Sequence, residues 1–365
     1  LELRMTGPVG ARTVINGIEY DYFSGTSYLG LQNHPDVIKA AVDTIREYGL
    51  SSATSRGGYG ENPVFDRLNT EINRFFNSQQ NLYFASGFLG NTILAQGLRS
   101  HYERVFIDSA SHFSVWDGVK TAEKPYHSFE HLDGLDLKNK ITKFLKPGER
   151  PLVFTDGVFP ISGEIAPIPR YLQIAESYDG LVCLDDAHGV GVLGAEGRGT
   201  LDFHGITSRR CVSAATLSKA LGGYGGVIAD TTALIQELDE HSKVYGAASP
   251  PPLAAAGASA EALRIARTHP ELRKMLWQKV KFCRQGLRDL GWELEETPVP
   301  IVCLRTRTGV DLALLKERLF EKKIAVAHVK NYSSTPQGGA IRIAIFATHS
   351  QEQIERLLFT LQRAL

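Results

Sequence analysis

From Phe65 onward, short apolar runs alternate with stretches whose hydrophobic residues recur at helical spacing, the rhythm of a doubly wound, mainly parallel sheet with helices on both faces. Strands are expected at Leu82 to Ala85, Val105 to Ile107, Leu152 to Phe154, Leu181 to Leu184, Val212 to Ala215 and Gly226 to Ala229. Most of these runs are continuously apolar because a central parallel strand buries both faces. Ahead of them, residues 1–32 read as short strands around an Asn16-Gly17 turn. Val37, Ile38, Ala41 and Ile45 then mark a helix over His34 to Tyr48 with Gly49 as its stop, and residues 51–60 read as loop. Pro250, Pro251 and Pro252 break the chain and introduce a helical region expected over Leu253 to Asp289. A second strand-and-helix pattern follows, ending in IRIAIFATHS and an amphipathic helix. The expected organisation is α/β: an N-terminal segment over 1–40, a large domain over 41–250 and a smaller α+β domain over 251–365.

Composition narrows the field. At 365 residues the chain can bury roughly three quarters of its unfolded surface and exceeds the usual size of one domain. Forty basic residues balance forty acidic ones without a long single-sign run, which argues against a nucleic-acid surface or a polybasic membrane anchor and toward small polar ligands. Cys183, Cys211, Cys283 and Cys303 are scattered without CxxC spacing, the usage expected of a reducing cytoplasm, and no metal site is expected. No apolar run has the length of a membrane span, and LELRMTGPVG lacks a signal-peptide pattern. The sequence opens on Leu1 rather than Met, which leaves room for a preceding segment.

Candidate chemistry concentrates between Leu184 and Gly226. The apolar run ending at Leu184 is followed by Asp185, Asp186 and His188, where a parallel strand meets a ligand crevice. The next run, Cys211 to Ala215, is followed by Thr216, Ser218 and Lys219 and then by Gly222, Gly223, Gly225 and Gly226. A lysine, an aspartate and a histidine converging on one crevice match the needs of pyridoxal phosphate. Its aldehyde takes an amine in a Schiff base, the role of Lys219, and its ring nitrogen needs an anion, the role of Asp185. His188 would bond the phenolic oxygen. The hydroxyls of Thr216 and Ser218 and the turn Ser86, Gly87 and Phe88, whose N–H groups precede a helical stretch, would hold the phosphate. Each residue also has an ordinary reading: a solvated lysine, a turn aspartate, a capping histidine.

DDAHGVGVLG with TLSKALGGYGG resembles the α-oxoamine synthase family of fold-type I pyridoxal phosphate enzymes, and most nearly its 8-amino-7-oxononanoate synthase branch. SYLGLQNHPDV, LYFASGFLGN, DSASHFS, FTDGVFPISGEIAPI and IRIAIFATHS resemble family segments in the same order, so the likeness runs through essentially the whole chain. It implies decarboxylative condensation of an amino acid with an acyl thioester to an α-amino ketone, a place in biotin biosynthesis for the nearest branch, and a homodimer with the site at the subunit interface. By the same resemblance His112 stacks on the cofactor ring, Arg342 grips the substrate carboxylate, and the SYLGL segment with Ser27 lies near the amino acid.

Five positions depart from the family pattern. Ser27 replaces an Asn, Pro160 replaces a Ser that could reach the phenolic oxygen, Phe65 replaces a His, and Ala247 and Ala248 stand where a hydroxyl would reach the partner subunit's phosphate. The cofactor argument survives these changes, while the amino acid (alanine, glycine or serine) and the donor (acyl-CoA or an acyl carrier protein) stay open. So do a 2-amino-3-ketobutyrate CoA ligase-like activity, a long-chain amino-ketone synthase like serine palmitoyltransferase, a fold-type I aminotransferase, lyase or aldolase, and a non-catalytic relative.

Overall fold

The computed structural model describes residues 2–55, 58–333 and 335–364; Arg56 and Gly57, within the loop expected over 51–60, lie outside them. The strands in chain order are β1 (Arg12–Ile15), β2 (Ile18–Tyr22), β3 (Gln80–Phe84), β4 (Arg104–Asp108), β5 (Tyr126–Phe129), β6 (Pro151–Asp156), β7 (Leu181–Asp185), β8 (Cys211–Thr216), β9 (Gly226–Asp230), β10 (Ile301–Arg305), β11 (Ile324–Ala325), β12 (Ala327–Val329) and β13 (Ala340–Ala344). Seven of them form one sheet in the order β3-β9-β8-β7-β6-β4-β5, in which β9 alone runs against its neighbours. Its central members are buried from end to end: β4 and β6 expose no residue. This is why their sequences are apolar runs without alternation. The sheet is an α/β doubly wound one, with the aliphatic side chains of helices Gly90–Gly97, Phe113–Lys120 and Thr232–His241 packed on one face and those of Gly134–Phe144 and Ile168–Glu176 on the other.

Two differences from the sequence reading have simple causes. The helical region expected as one stretch over Leu253 to Asp289 is two helices, Leu253–Thr268 and Glu271–Asp289, broken where Pro270 removes an N–H and its ring blocks the preceding turn. Strand β5 escaped notice because it is a short, half-exposed edge strand, YHSF, and carries no apolar run.

The remaining strands tie the two ends of the chain together. β1 and β2 form the hairpin expected at Asn16-Gly17, and β2 continues into β11 as a parallel neighbour. β10, β13 and β12 form an antiparallel sheet in the order β10-β13-β12. Helix Pro35–Tyr48 is capped by His34, which accepts from Asp36 N, and helix Pro63–Phe76 by Asn62, which accepts from Val64 N at 3.0 Å. A continuous core joins Tyr28, Phe65, Leu253 and Leu263 to Ile341, Ile343 and Phe346. Phe65, fully buried, is part of that core and packs on Tyr83.

Candidate active site

The parallel strands all end on one side of the sheet, and the residues just beyond those ends line a cavity of about 420 Å³. β3 delivers Ser86, Gly87 and Phe88; β4 leads to His112; β6 ends at Asp156, β7 at Asp185 with His188 beyond it, and β8 leads through Thr216 and Ser218 to Lys219. β13 contributes Arg342 from the other sheet. The expected cofactor and carboxylate residues, separated by more than 250 positions, therefore face one space. Ser27 does not: its hydroxyl donates to Gln32 Oε1 at 2.6 Å, and the adjacent Thr26 lines the cavity instead. A short side chain satisfied next door has no proton left to offer a ligand.

Asp185 is held by three donors. Asn91 Nδ2 donates to Oδ2 at 2.7 Å, Ser114 Oγ to the same oxygen at 3.2 Å, and Ala187 N to Oδ1 at 3.2 Å. Its neighbour Asp186 turns inward, accepting from Thr200 N at 2.7 Å and Thr200 Oγ1 at 2.6 Å, so the structural role falls to it. Lys219 Nζ lies 2.8 Å from His188 Nε2. Burial lowers the Lys219 pKa to about 8, against the pull of Asp185 and Asp156, so its amine becomes available near neutrality. His188 is buried and held well below the usual imidazole range, first by loss of water and then by Lys219 and Arg342.

His112 opens helix Phe113–Lys120 and does act as its cap, accepting from Ser114 N at 3.2 Å. The same ring reaches the cavity, where its Nε2 is 2.8 Å from the Tyr332 hydroxyl. Beneath it, Asp156 accepts from His112 N with both oxygens at 3.2 Å, and burial, then the charge of Asp185, raises its pKa well above the carboxylate range. Arg342, 6 % exposed, spends three of its five N–H groups on protein: Nε on Pro160 O at 2.7 Å, Nη1 on Gly25 O at 3.0 Å and Nη2 on the Tyr28 hydroxyl at 3.1 Å. Two N–H groups are left for a ligand.

Sequence reasoning missed Tyr28, Asn91, Ser114, Asp156 and Tyr332. Asp156 carried a signal, a carboxylate at the end of an apolar strand in FTDG. Tyr28, Asn91 and Ser114 lie inside the quoted SYLGLQNHPDV, LYFASGFLGN and DSASHFS segments without being singled out there, and Tyr332 has no local pattern to mark it. The reading of Pro160 was incomplete, because its carbonyl is an acceptor for Arg342.

The cavity suits a flat molecule with an anionic group at one edge. An amine and a carboxylate face it, the first bonded to His188 and the second to Asn91. At one edge stand the Ser86 to Phe88 turn and the hydroxyls of Thr216 and Ser218, which bond each other at 2.8 Å. Gly87 is required there: a Cβ would lie 2.7 Å from Thr216 Cβ, so only a bare backbone can approach this strand end. Pyridoxal phosphate meets these constraints.

Comparison with known proteins agrees with this geometry. The aminotransferase class I and II family matches residues 23–361. The 8-amino-7-oxononanoate synthase of Nitrosococcus oceani is 33% identical over 363 residues, 99% of this chain and 96% of that protein. Among solved structures, a single-site variant of a serine palmitoyltransferase from S. paucimobilis with a bound PLP–myriocin aldimine superposes with a TM-score of 0.92 at 24% identity, covering 100% of this chain and 92% of that one. An 8-amino-7-oxononanoate synthase from Francisella tularensis gives 0.79 at 24% identity, covering 94% and 96%. At that identity the two structures speak to the fold.

Proposed function

The chain belongs to the aminotransferase class I and II family, within its α-oxoamine synthases, and on that premise we propose that it condenses an amino acid with an acyl thioester, with loss of carbon dioxide, to an α-amino ketone. The observation that carries this reading is the meeting of Lys219, Asp185, His188 and Arg342 at one cavity in a chain a third identical to an 8-amino-7-oxononanoate synthase. Alanine is the amino acid and a pimeloyl-type thioester the donor in the version that best fits those relatives.

Pyridoxal phosphate would be held through its aldehyde by Lys219, at its ring nitrogen by Asp185, over its face by His112 and at its phosphate by Ser86 to Phe88, Thr216 and Ser218; when bound it supplies an electron sink. The two free N–H groups of Arg342 orient the substrate carboxylate, a planar fork for a planar anion. Lys219, whose amine burial has brought to about 8, takes the proton from the amino-acid Cα and later returns one. In the net change Cα bonds to the acyl carbon, the thiol departs, and the carboxyl group leaves as carbon dioxide. Val158, Pro160 and Ile161 give the cavity an apolar stretch of wall.

A homodimer accords with the apolar residues left in solvent. Ile38, Val42 and Ile45 lie exposed along one stripe of helix Pro35–Tyr48, and Leu50, Tyr59, Phe88 and Tyr224 are exposed as well. Light scattering tests it. The function is tested by mass spectrometry of products from labelled alanine, glycine and serine with a series of acyl-CoA and acyl carrier protein thioesters. An α-amino ketone that has lost the amino-acid carboxyl carbon is expected. Amino-group transfer to a keto acid with that carbon retained would sink the proposal in favour of an aminotransferase.

A further inference from the structure

Tyr28 is wholly buried, and its hydroxyl lies between Arg342 and His188. Its proton has one destination. Arg342 Nη2 donates to the Tyr28 oxygen at 3.1 Å, and a guanidinium has no acceptor to offer in return. The other contact is His188 Nδ1 at 2.8 Å, and among the described residues no third group bonds this hydroxyl. A buried hydroxyl proton without an acceptor is costly, so Tyr28 donates to Nδ1. His188 is neutral in its buried, cationic surroundings, and a neutral imidazole that accepts at Nδ1 carries its proton on Nε2.

We propose that Tyr28 is a positioning residue which, anchored by Arg342, fixes His188 in the Nε2–H tautomer and so turns that nitrogen into a hydrogen-bond donor aimed at Lys219 and the cavity. Donation then runs in one direction, from Arg342 through Tyr28 and His188 into the site. The last bond, 2.8 Å from His188 Nε2 to Lys219 Nζ, requires an unprotonated amine, the form that predominates above the Lys219 pKa of about 8. A ligand oxygen arriving beside Lys219 meets a ready donor. That this oxygen is the phenolic oxygen of pyridoxal phosphate rests on the proposed function; the tautomer does not.

The test is long-range ¹H–¹⁵N correlation of the full-length protein carrying ¹⁵N-histidine, recorded before and after loading with pyridoxal phosphate, with the His188 signals identified by their loss in His188→Asn. At pH 9, above the Lys219 pKa of about 8, the native protein should show the Nε2–H pattern in both states. Tyr28→Phe keeps the ring and removes the donor, so its His188 should drift to mixed tautomers and kcat/KM should fall about 5- to 10-fold, the worth of one net hydrogen bond. An Nδ1–H pattern in the native protein, or an unchanged Nε2–H pattern in Tyr28→Phe, overturns the inference. The native spectrum decides the matter even if the variant does not fold, and it does so whether or not the protein turns over any amino acid.

Discussion

His131 offers a test of how the wall of the cavity is held. It lies in the loop after β5, with Nδ1 2.8 Å from Asp108 Oδ1 and Nε2 3.2 Å from Glu164 Oε2. Both nitrogens face carboxylates, so both must donate, which makes the ring an imidazolium. Glu164 also pairs with Arg305 of β10 at 3.0 Å, and the His131 ring packs edge-on against Phe159, centroids 4.3 Å apart, next to the Pro160 that holds Arg342. Burial pulls the His131 pKa down, and the two carboxylates more than reverse this, from 6.5 to about 9. At about 1.4 kcal/mol per pH unit, that difference makes the charged ring worth about 3 kcal/mol of stability. Because the folded pKa is the higher one, the stabilisation is complete below pH 6.5 and is lost as pH rises through about 9. Glu164, lowered to about 2 chiefly by its bond to His131, reports the same interaction from the other side, so the two are not added. Urea unfolding of the native protein and of His131→Gln, followed by tryptophan fluorescence across this range, should differ by about 3 kcal/mol at pH 6 and by under about 1 kcal/mol near pH 10. A gap of the same size at both ends would mean that His131 acts by packing on Phe159, and the electrostatic reasoning would be wrong.

Further outcomes follow from the same geometry. Borohydride trapping of the cofactor aldehyde should map to Lys219 and vanish in Lys219→Ala, and the attachment rate should level off above pH 8 and decline below it, since only the free amine reacts. Arg342→Lys cannot serve Pro160 O, Gly25 O and the Tyr28 hydroxyl together; with two of the three left unpaired in a buried site, the loss should be about 2 to 5 kcal/mol in unfolding free energy, accompanied by a raised KM for the amino acid. Asp185→Asn keeps the shape but loses the anion, and a fall in kcat of at least about 10²-fold is expected with the cofactor still attached at Lys219, as absorbance and mass would show.

Much of this protein is legible in its order of residues. The runs that bury both faces of β4, β6 and β7 are apolar throughout and that of β8 is interrupted by Ser213, and the polar residues that follow at Asp185, Thr216 and Lys219 stand where parallel strands end. Period and punctuation are local properties, so the sheet, its crevice and the placing of Lys219 and Asp185 at that crevice can be inferred from neighbours alone. β5 and the break at Pro270 were missed or blurred because an edge strand needs no apolar run and helical spacing resumes directly after the proline.

What only the tertiary structure decided is which polar groups satisfy which. Tyr28 meets His188 across 160 positions and Arg342 across 314, Pro160 turns its carbonyl to Arg342, and Ser27 turns to Gln32 and away from the cavity. Such pairings leave no period in the sequence. Each is set by burial, which removes water as an alternative partner and obliges every donor and acceptor to find another wherever the folded chain has brought one within reach.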